Sequence, residues 1–176
     1  MNKLIASTAF VVATALSGAA FADNPTDVNA GGNAQQIGHL GPIQVTQEFS
    51  PTFINPTTSV VNPGEKKIKF HNSFINYAGQ LGIKSANGAI TTAGVAPPGW
   101  VDKVNYTATA TFGASVATYT TDGTVAPTPG VNKQNDAAGP WGPDQVLVSL
   151  LLIPSALPAI AGAYNDVVTV VLGAGV

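Results

Sequence analysis

The chain has no cysteine, a single methionine and two histidines, and only 9% of its residues are charged. Without cysteine there is no disulfide framework, no thiolate nucleophile and no thiolate metal site, so stability has to come from an apolar core and strand ladders. Arginine is missing too: the seven basic residues are all lysine, set against nine acids for a net charge of −2. The preferred bidentate reader of phosphate and guanine is therefore absent, no basic stripe exists, and nucleic acid is not expected as a partner.

The chemistry-bearing motifs are equally sparse. There is no G-x-S-x-G elbow, no H-x-x-x-H pair, no P-loop and no dinucleotide fingerprint. His39 and His71 stand alone and read as surface or strand-end residues. Asp102, Asp122, Asp136, Asp144 and Asp166 lie beside Gly, Pro, Asn or strand ends, where aspartate makes turn hydrogen bonds, and no two of them read as a glycosidase pair. The oxygen-bearing residues from Asn132 to Asp144 do not follow the order of a calcium loop. The expectation is a non-enzyme, with no catalytic residue, no cofactor and no metal.

The one long uncharged, largely apolar run at the N-terminus is Leu4–Leu16, behind the single charge of Lys3. It has the length of a signal h-region and falls short of the roughly 20 apolar residues that span a bilayer. Ser17-Gly18 breaks the run, and Ala20-Phe21-Ala22 is a small-x-small cleavage site. Residues 1–22 therefore read as a cleavable signal peptide, the mature chain begins at Asp23, and the protein is expected to be exported with no membrane span in its mature part. Residues 23–42 read as an N-terminal extension and residues 43–176 as one domain. A mature chain this apolar and weakly charged is suited to packing against copies of itself.

After the polar, Gly/Asn-rich stretch 23–36, the pattern is that of short strands between Gly, Pro and Asn turns. Ile37, Ile43, Val45 and Phe49 share one odd-numbered frame, interrupted at Gly41-Pro42. Lys66, Lys67 and Lys69 read as the solvent face and edge protection of a strand. Leu81 and Ile83 lead into Asn87-Gly88, a dipeptide suited to a tight hairpin. Val104–Phe112 alternates strictly, Gly113-Ala114 fits a two-residue turn with glycine first, and Ser115–Thr121 returns. Residues 127–143 read as a surface loop. Val146–Ile153 is apolar on both faces and reads as a central strand, and Tyr164–Leu172 is β-branched through its second half. No useful helical period follows the signal segment, which indicates an all-β sandwich or barrel. Trp100 and Trp141 sit in loops. The favoured reading is that each caps an end of the core; the other is that they bind a glycan or protein ligand.

The ending Ala161-Gly162-Ala163-Tyr164-Asn165-Asp166-Val167-Val168-Thr169-Val170-Val171-Leu172 resembles the closing strand of chaperone–usher pilus subunits, G-x-Y-x-D-x-V-x-V-x-[LIVF]. Leu81-Gly82-Ile83-Lys84-Ser85-Ala86-Asn87-Gly88 is similar to the strand and S-x-N-G turn of their spore coat U-like branch. The resemblance covers about a dozen terminal residues closely and the rest diffusely. It implies an immunoglobulin-like β-sandwich that lacks its last strand and is completed by a donor strand from another subunit. It implies transit through the periplasm with a chaperone, assembly at an outer-membrane usher, and a cell-surface fimbria or coat made of copies of the chain. By the resemblance, Val168, Val170 and Leu172 line the acceptor groove, and the N-terminal extension 23–42 with the strand that follows it, especially Ile37, Ile43 and Val45, supplies the donor. The alternative is a self-contained secreted sandwich that binds its ligand through the Trp100 and Trp141 loops.

Overall fold

The computed structural model describes residues 11–14, 36–125 and 128–176. The cleavage site Ala20-Phe21-Ala22, the rest of the segment read as a signal peptide, and most of the arm 23–36 lie outside the described residues. The strands are β1 (Val11–Thr14), β2 (Gly38–His39), β3 (Ile43–Gln47), β4 (Glu65–Ile75), β5 (Gly79–Ser85), β6 (Ile90–Thr91), β7 (Lys103–Val104), β8 (Tyr106–Phe112), β9 (Ser115–Thr120), β10 (Thr128–Pro129), β11 (Asn132–Ala138), β12 (Trp141–Leu152) and β13 (Val167–Gly173). Among the described residues there is no helix, and so none long and apolar enough to cross a membrane.

Two sheets pack face to face. The first has the order β1-β13-β5-β11-β10; the second has the order β2-β4-β12-β8-β9, with β3 also on β4. The strict alternation of β8 explains its place: Tyr106, Ala108, Ala110 and Phe112 are buried between the sheets, while Thr107, Thr109 and Thr111 face outward. β12 supplies Val146, Val148, Leu150 and Leu152 to the same core, and β4 supplies Ile68 and Phe70. Burying each such large side chain contributes about 1.5–3 kcal/mol. Gly113, at φ +57° in the first position of the β8–β9 turn, is the glycine-first hairpin expected from sequence.

The two ends of the sandwich differ. The short connections 76–78, 113–114 and 139–140 lie at one end, the turn pole. The long connections 48–64, 86–105, 121–131 and 153–166 lie at the other, the loop pole.

Several expectations need correction. Residues 127–143 are not one loop: Asn132–Ala138 is a strand on β5, and β12 already begins at Trp141. The polar string Asn132-Lys133-Gln134-Asn135-Asp136 hides that strand because it has no apolar alternation to read. β12 is central, between β4 and β8, but only its inner face is covered, and Leu147 and Leu151 on the outer face are exposed. Asn87-Gly88 is not a hairpin turn. Gly88 alone takes positive φ there, and the chain leaves β5 to form the separate β6–β7 ribbon. β4 is not an edge, since β3 flanks it, and Lys66 faces inward opposite the buried Leu150. Its Nζ reaches back to Glu48 Oε2 at 2.8 Å.

The glycines at the loop pole yield a stability prediction. Gly88 at φ +70° would place a Cβ 1.6 Å from the Thr124 carbonyl oxygen, whereas Gly99 at φ +83° has nothing within 4 Å. Gly99→Ala should cost about 1 kcal/mol, the left-handed backbone penalty alone. Gly88→Ala should cost more, by about 2 kcal/mol or greater, because backbone must also move. Urea melts of the two variants compare them directly, and equal losses would contradict the packing described.

Candidate functional site: the edge of β13

The two sheets meet differently along their long sides. On one side β9 and β11 are laced together. Thr120 N donates to Gly130 O at 3.2 Å, Ser115 Oγ to Ala137 O at 2.6 Å, and Val116 N to Asp136 Oδ2 at 2.7 Å. On the other side β13 faces β2 and β3. They meet closely at the turn pole, where a Cβ on Gly38 would lie 2.2 Å from the Leu172 carbonyl oxygen.

Further along, β3 on this side is exposed throughout. Ile43 stands opposite Phe70 and Val45 opposite Ile68. Directly opposed residues share a face, and Phe70 and Ile68 are core, so Ile43 and Val45 point toward the space between the sheets. They are nevertheless 48% and 43% exposed. Inward-facing β-branched side chains open to water mark a place where the sandwich lacks cover.

β13 forms the other wall. Val168, Val170 and Leu172 are buried in the core. One edge of β13 is held antiparallel by β5, with Val170 opposite Ile83 and Leu172 opposite Leu81. The other edge is taken by β1, which runs parallel to it from Val11 opposite Val167 to Thr14 opposite Val170. β1 falls inside the segment read from sequence as a signal peptide. The strand that completes the first sheet thus comes from the part of the chain expected to be cut away.

β13 is anchored at its start by a buried carboxylate. Asp166 Oδ2 accepts from Ser85 Oγ and from Tyr106 OH, each at 2.6 Å. Its Oδ1 accepts from Asn87 N at 3.0 Å and Val167 N at 2.7 Å. Tyr119 OH lies 3.2 Å from Tyr106 OH, and Ser85 Oγ also accepts from Gly88 N at 2.8 Å. The two motifs that carry the family resemblance, Ser85-Ala86-Asn87-Gly88 and Tyr164-Asn165-Asp166, therefore meet at one carboxylate. This corrects the turn role expected for Asp166; what hid it is that an aspartate two residues after a tyrosine looks the same in either setting.

Burial drives the Tyr106 and Tyr119 phenols well above the ordinary tyrosine range, with the Asp166 charge adding to the effect. Burial also pushes Tyr164 up to about 12, with Asp102 adding to it. Two exposed carboxyls are held below the usual range. Asp122 is lowered by the Thr124 hydroxyl and then its N–H, Asp144 by the Gln145 N–H and then the Trp141 indole.

The remaining candidates are scattered. Ile37 sits just ahead of β2, its N–H donating to Asn76 Oδ1 at 2.6 Å, so Ile37, Ile43 and Val45 all lie along β4 of their own chain. Trp100 belongs to the loop pole and Trp141 to the turn pole, where its ring lies over Gly113. They are 42% and 50% exposed, so neither caps the core as expected, and together they do not form one ligand site. His39 stacks on Phe74 with ring centroids 5.3 Å apart, and His71 Nε2 meets Gln44 Oε1 at 2.7 Å. Among the described residues, no three His, Asp or Glu side chains gather as a metal site would require. The Lys66–Glu48 pair beside the opening escaped sequence reading, because the lysine run hides which member turns inward. Compared with family models, curated proteins and solved structures, the chain matches none of them.

Two outcomes follow from the network. Asp166→Ala strands the Tyr106, Ser85 and Asn87 donors and should cost about 3 kcal/mol or more, against about 1–2 kcal/mol for Tyr106→Phe, as read by urea unfolding. A raised phenol favours the neutral form in the folded state, so its stabilisation is complete below the unfolded tyrosine value of about 10 and is lost as pH rises above it. In an absorbance titration at alkaline pH, Tyr106 and Tyr119 should ionise only with unfolding; reversible ionisation of all four tyrosines in a folded chain would overturn the buried network.

Proposed function

We propose that the protein is a non-enzymatic structural subunit of a surface fibre or coat, assembled when an extended segment of one copy completes the sandwich of another. The observation that carries this reading is the pairing of β13 with β1. The edge takes up a strand from outside the domain, and that strand lies in the segment that export would remove. In a chain beginning at Asp23 the outer edge of β13 would be unpaired, beside the exposed Ile43 and Val45. An open edge next to uncovered apolar side chains is a template for β-augmentation.

The strand order supports the immunoglobulin-like form of the reading. The series β2/β3, β4, β12, β8 faces β13 and β5 in the manner of strands A, B, E, D against F and C, and β1 stands where the last strand, G, would be. The resemblance of the C-terminal strand to chaperone–usher pilins points the same way. It brings with it a periplasmic chaperone, an outer-membrane usher and a cell-surface fimbria. Since Ile43 and Val45 are engaged with β4 of their own chain, the donor is better sought upstream, in residues 23–36, where Val28, Ala30 and Ala34 alternate with polar residues.

The mature chain, residues 23–176, should form oligomers that resist SDS until boiled. A chain lacking residues 23–36 should stay monomeric and should bind a synthetic peptide of residues 23–36. A mature chain that remains a stable monomer at high concentration, with no strand supplied, would overturn the proposal and favour a self-contained sandwich.

A further inference from the structure

The loop pole has an unusual surface. Across residues 49–64, 86–101 and 153–165 there is no Asp, Glu, Lys, Arg or His, and the charged residues of the pole are confined to Glu48, Asp102, Lys103, Asp122 and the buried Asp166. These stretches are tied to one another: Ala159 N donates to Ser59 O at 2.7 Å, Val101 N to Pro158 O at 2.9 Å, and Ile160 N to Val101 O at 3.0 Å. Val61 N donates to Ser155 Oγ at 3.2 Å, and a Cβ on Gly94 would lie 2.7 Å from Ile160 Cδ1. On this knitted surface Val95 is 89%, Leu157 45% and Trp100 42% exposed. Exposed apolar groups around an aromatic, on stretches that carry no charge themselves, are the composition of the centre of a protein interface.

We infer that the loop pole docks against the turn pole of a second copy of this chain, head to tail. The inference rests on the donor-strand reading above, and strand direction selects the partner. The chain enters the sandwich at Gly38, at the turn pole, so residues 23–36 depart from there. β13 runs from Val167 at the loop pole to Gly173 at the turn pole. A donor strand antiparallel to β13 therefore ends at the acceptor's loop pole and continues directly into the turn pole of the copy that supplies it. A parallel donor, the direction β1 takes, would end at the acceptor's turn pole and bring two turn poles together, which closes a pair of copies and does not extend a chain. Residues 23–36, about 46 Å when extended, are long enough to run the edge of β13, about 23 Å, and to cross the step between copies.

The turn pole is suited to that contact. Its connections Asn76-Tyr77-Ala78 and Gly139-Pro140 carry no charge, and the half-exposed Trp141 stands beside them as an aromatic anchor.

Because the chain has no cysteine, introduced thiols report the contact without background. Val95 is almost fully exposed, and a Cβ on Gly139 meets nothing within 4 Å. In the mature chain, Val95→Cys combined with Gly139→Cys should give, on mild oxidation of assembled material, a disulfide-linked ladder that persists on boiling and collapses on reduction. Either substitution alone should give none. SDS-resistant oligomers without that ladder would overturn the pole contact while leaving donor exchange standing, and dimers from Val95→Cys alone would overturn it by showing loop pole against loop pole. If the mature chain forms no SDS-resistant oligomer, donor exchange fails, and the double variant is oxidised in concentrated solution instead: a linked dimer supports the pole contact and an unlinked monomer overturns it. Val95→Asp should raise the concentration needed for assembly at least about tenfold with an unchanged melting curve. Binding of the mature chain to neutral phosphatidylcholine vesicles through Val95, with no cross-linked ladder, would assign the surface to lipid and overturn the inference.

Discussion

Asp166 holds the last strand in place, and much of the architecture hangs on that hold. Its two oxygens accept four hydrogen bonds, from Ser85, Tyr106, Asn87 and Val167, and so tie the start of β13 to the end of β5 and to β8 in the opposite sheet. A carboxylate out of water is tolerated only when its lone pairs are met in this way. The consequence is a strand whose position is set from one side. The ladder to β5 and the hydrogen bonds to Asp166 fix the register of β13 through contacts that do not involve its far edge.

The scarcity of charge completes that arrangement. A self-contained sandwich protects its edges with lysines, bulges or short strands. Here the lysines of β4 lie within the second sheet, one of them turned inward to Glu48, and the far edge of β13 has instead the parallel strand β1. Rigidity comes from elsewhere: the laced β9–β11 side, the buried tyrosine pair and the hydrogen-bonded loop pole. One long side is closed by hydrogen bonds between β9 and β11, and on the other β1 pairs with the outer edge of β13.

How far the sequence disclosed this depends on what each element uses to hold itself. β8 and β9 were legible residue by residue, because Tyr106, Ala108, Ala110 and Phe112 alternate with threonines and Gly113 sits where positive φ is needed. The all-β sandwich followed from such elements. β11 was not legible, since its ladder to β5 is made by backbone groups that any residue provides, and its side chains are polar. Asn87-Gly88 is illegible for a related reason: the left-handed Gly88 lets the backbone approach Thr124 and the pair presents amides to Asp166 and Ser85, a tertiary fact with no local signature. The opening beside Ile43 and Val45 was hidden too. Their alternation is that of any half-buried strand, and only the opposite sheet decides whether they are covered.

The direction of β1 bears on how a donor could succeed it. Four residues of β1 pair with β13 in parallel, whereas β13 is seven residues long. Parallel ladders are slightly weaker per residue than antiparallel ones, and a longer donor makes more pairs. In the donor-strand reading, an antiparallel arm from another copy therefore gains on both counts over any short parallel occupant. It can also fill the space beside Ile43 and Val45, where apolar surface removed from water contributes about 25 cal/mol per Å². Val28, Ala30 and Ala34 are small for that task. The contact area that such a modest donor leaves unfilled is the physical reason to expect a second contribution to assembly, and the uncharged stretches of the loop pole, next to where an antiparallel donor would emerge, are placed to supply it.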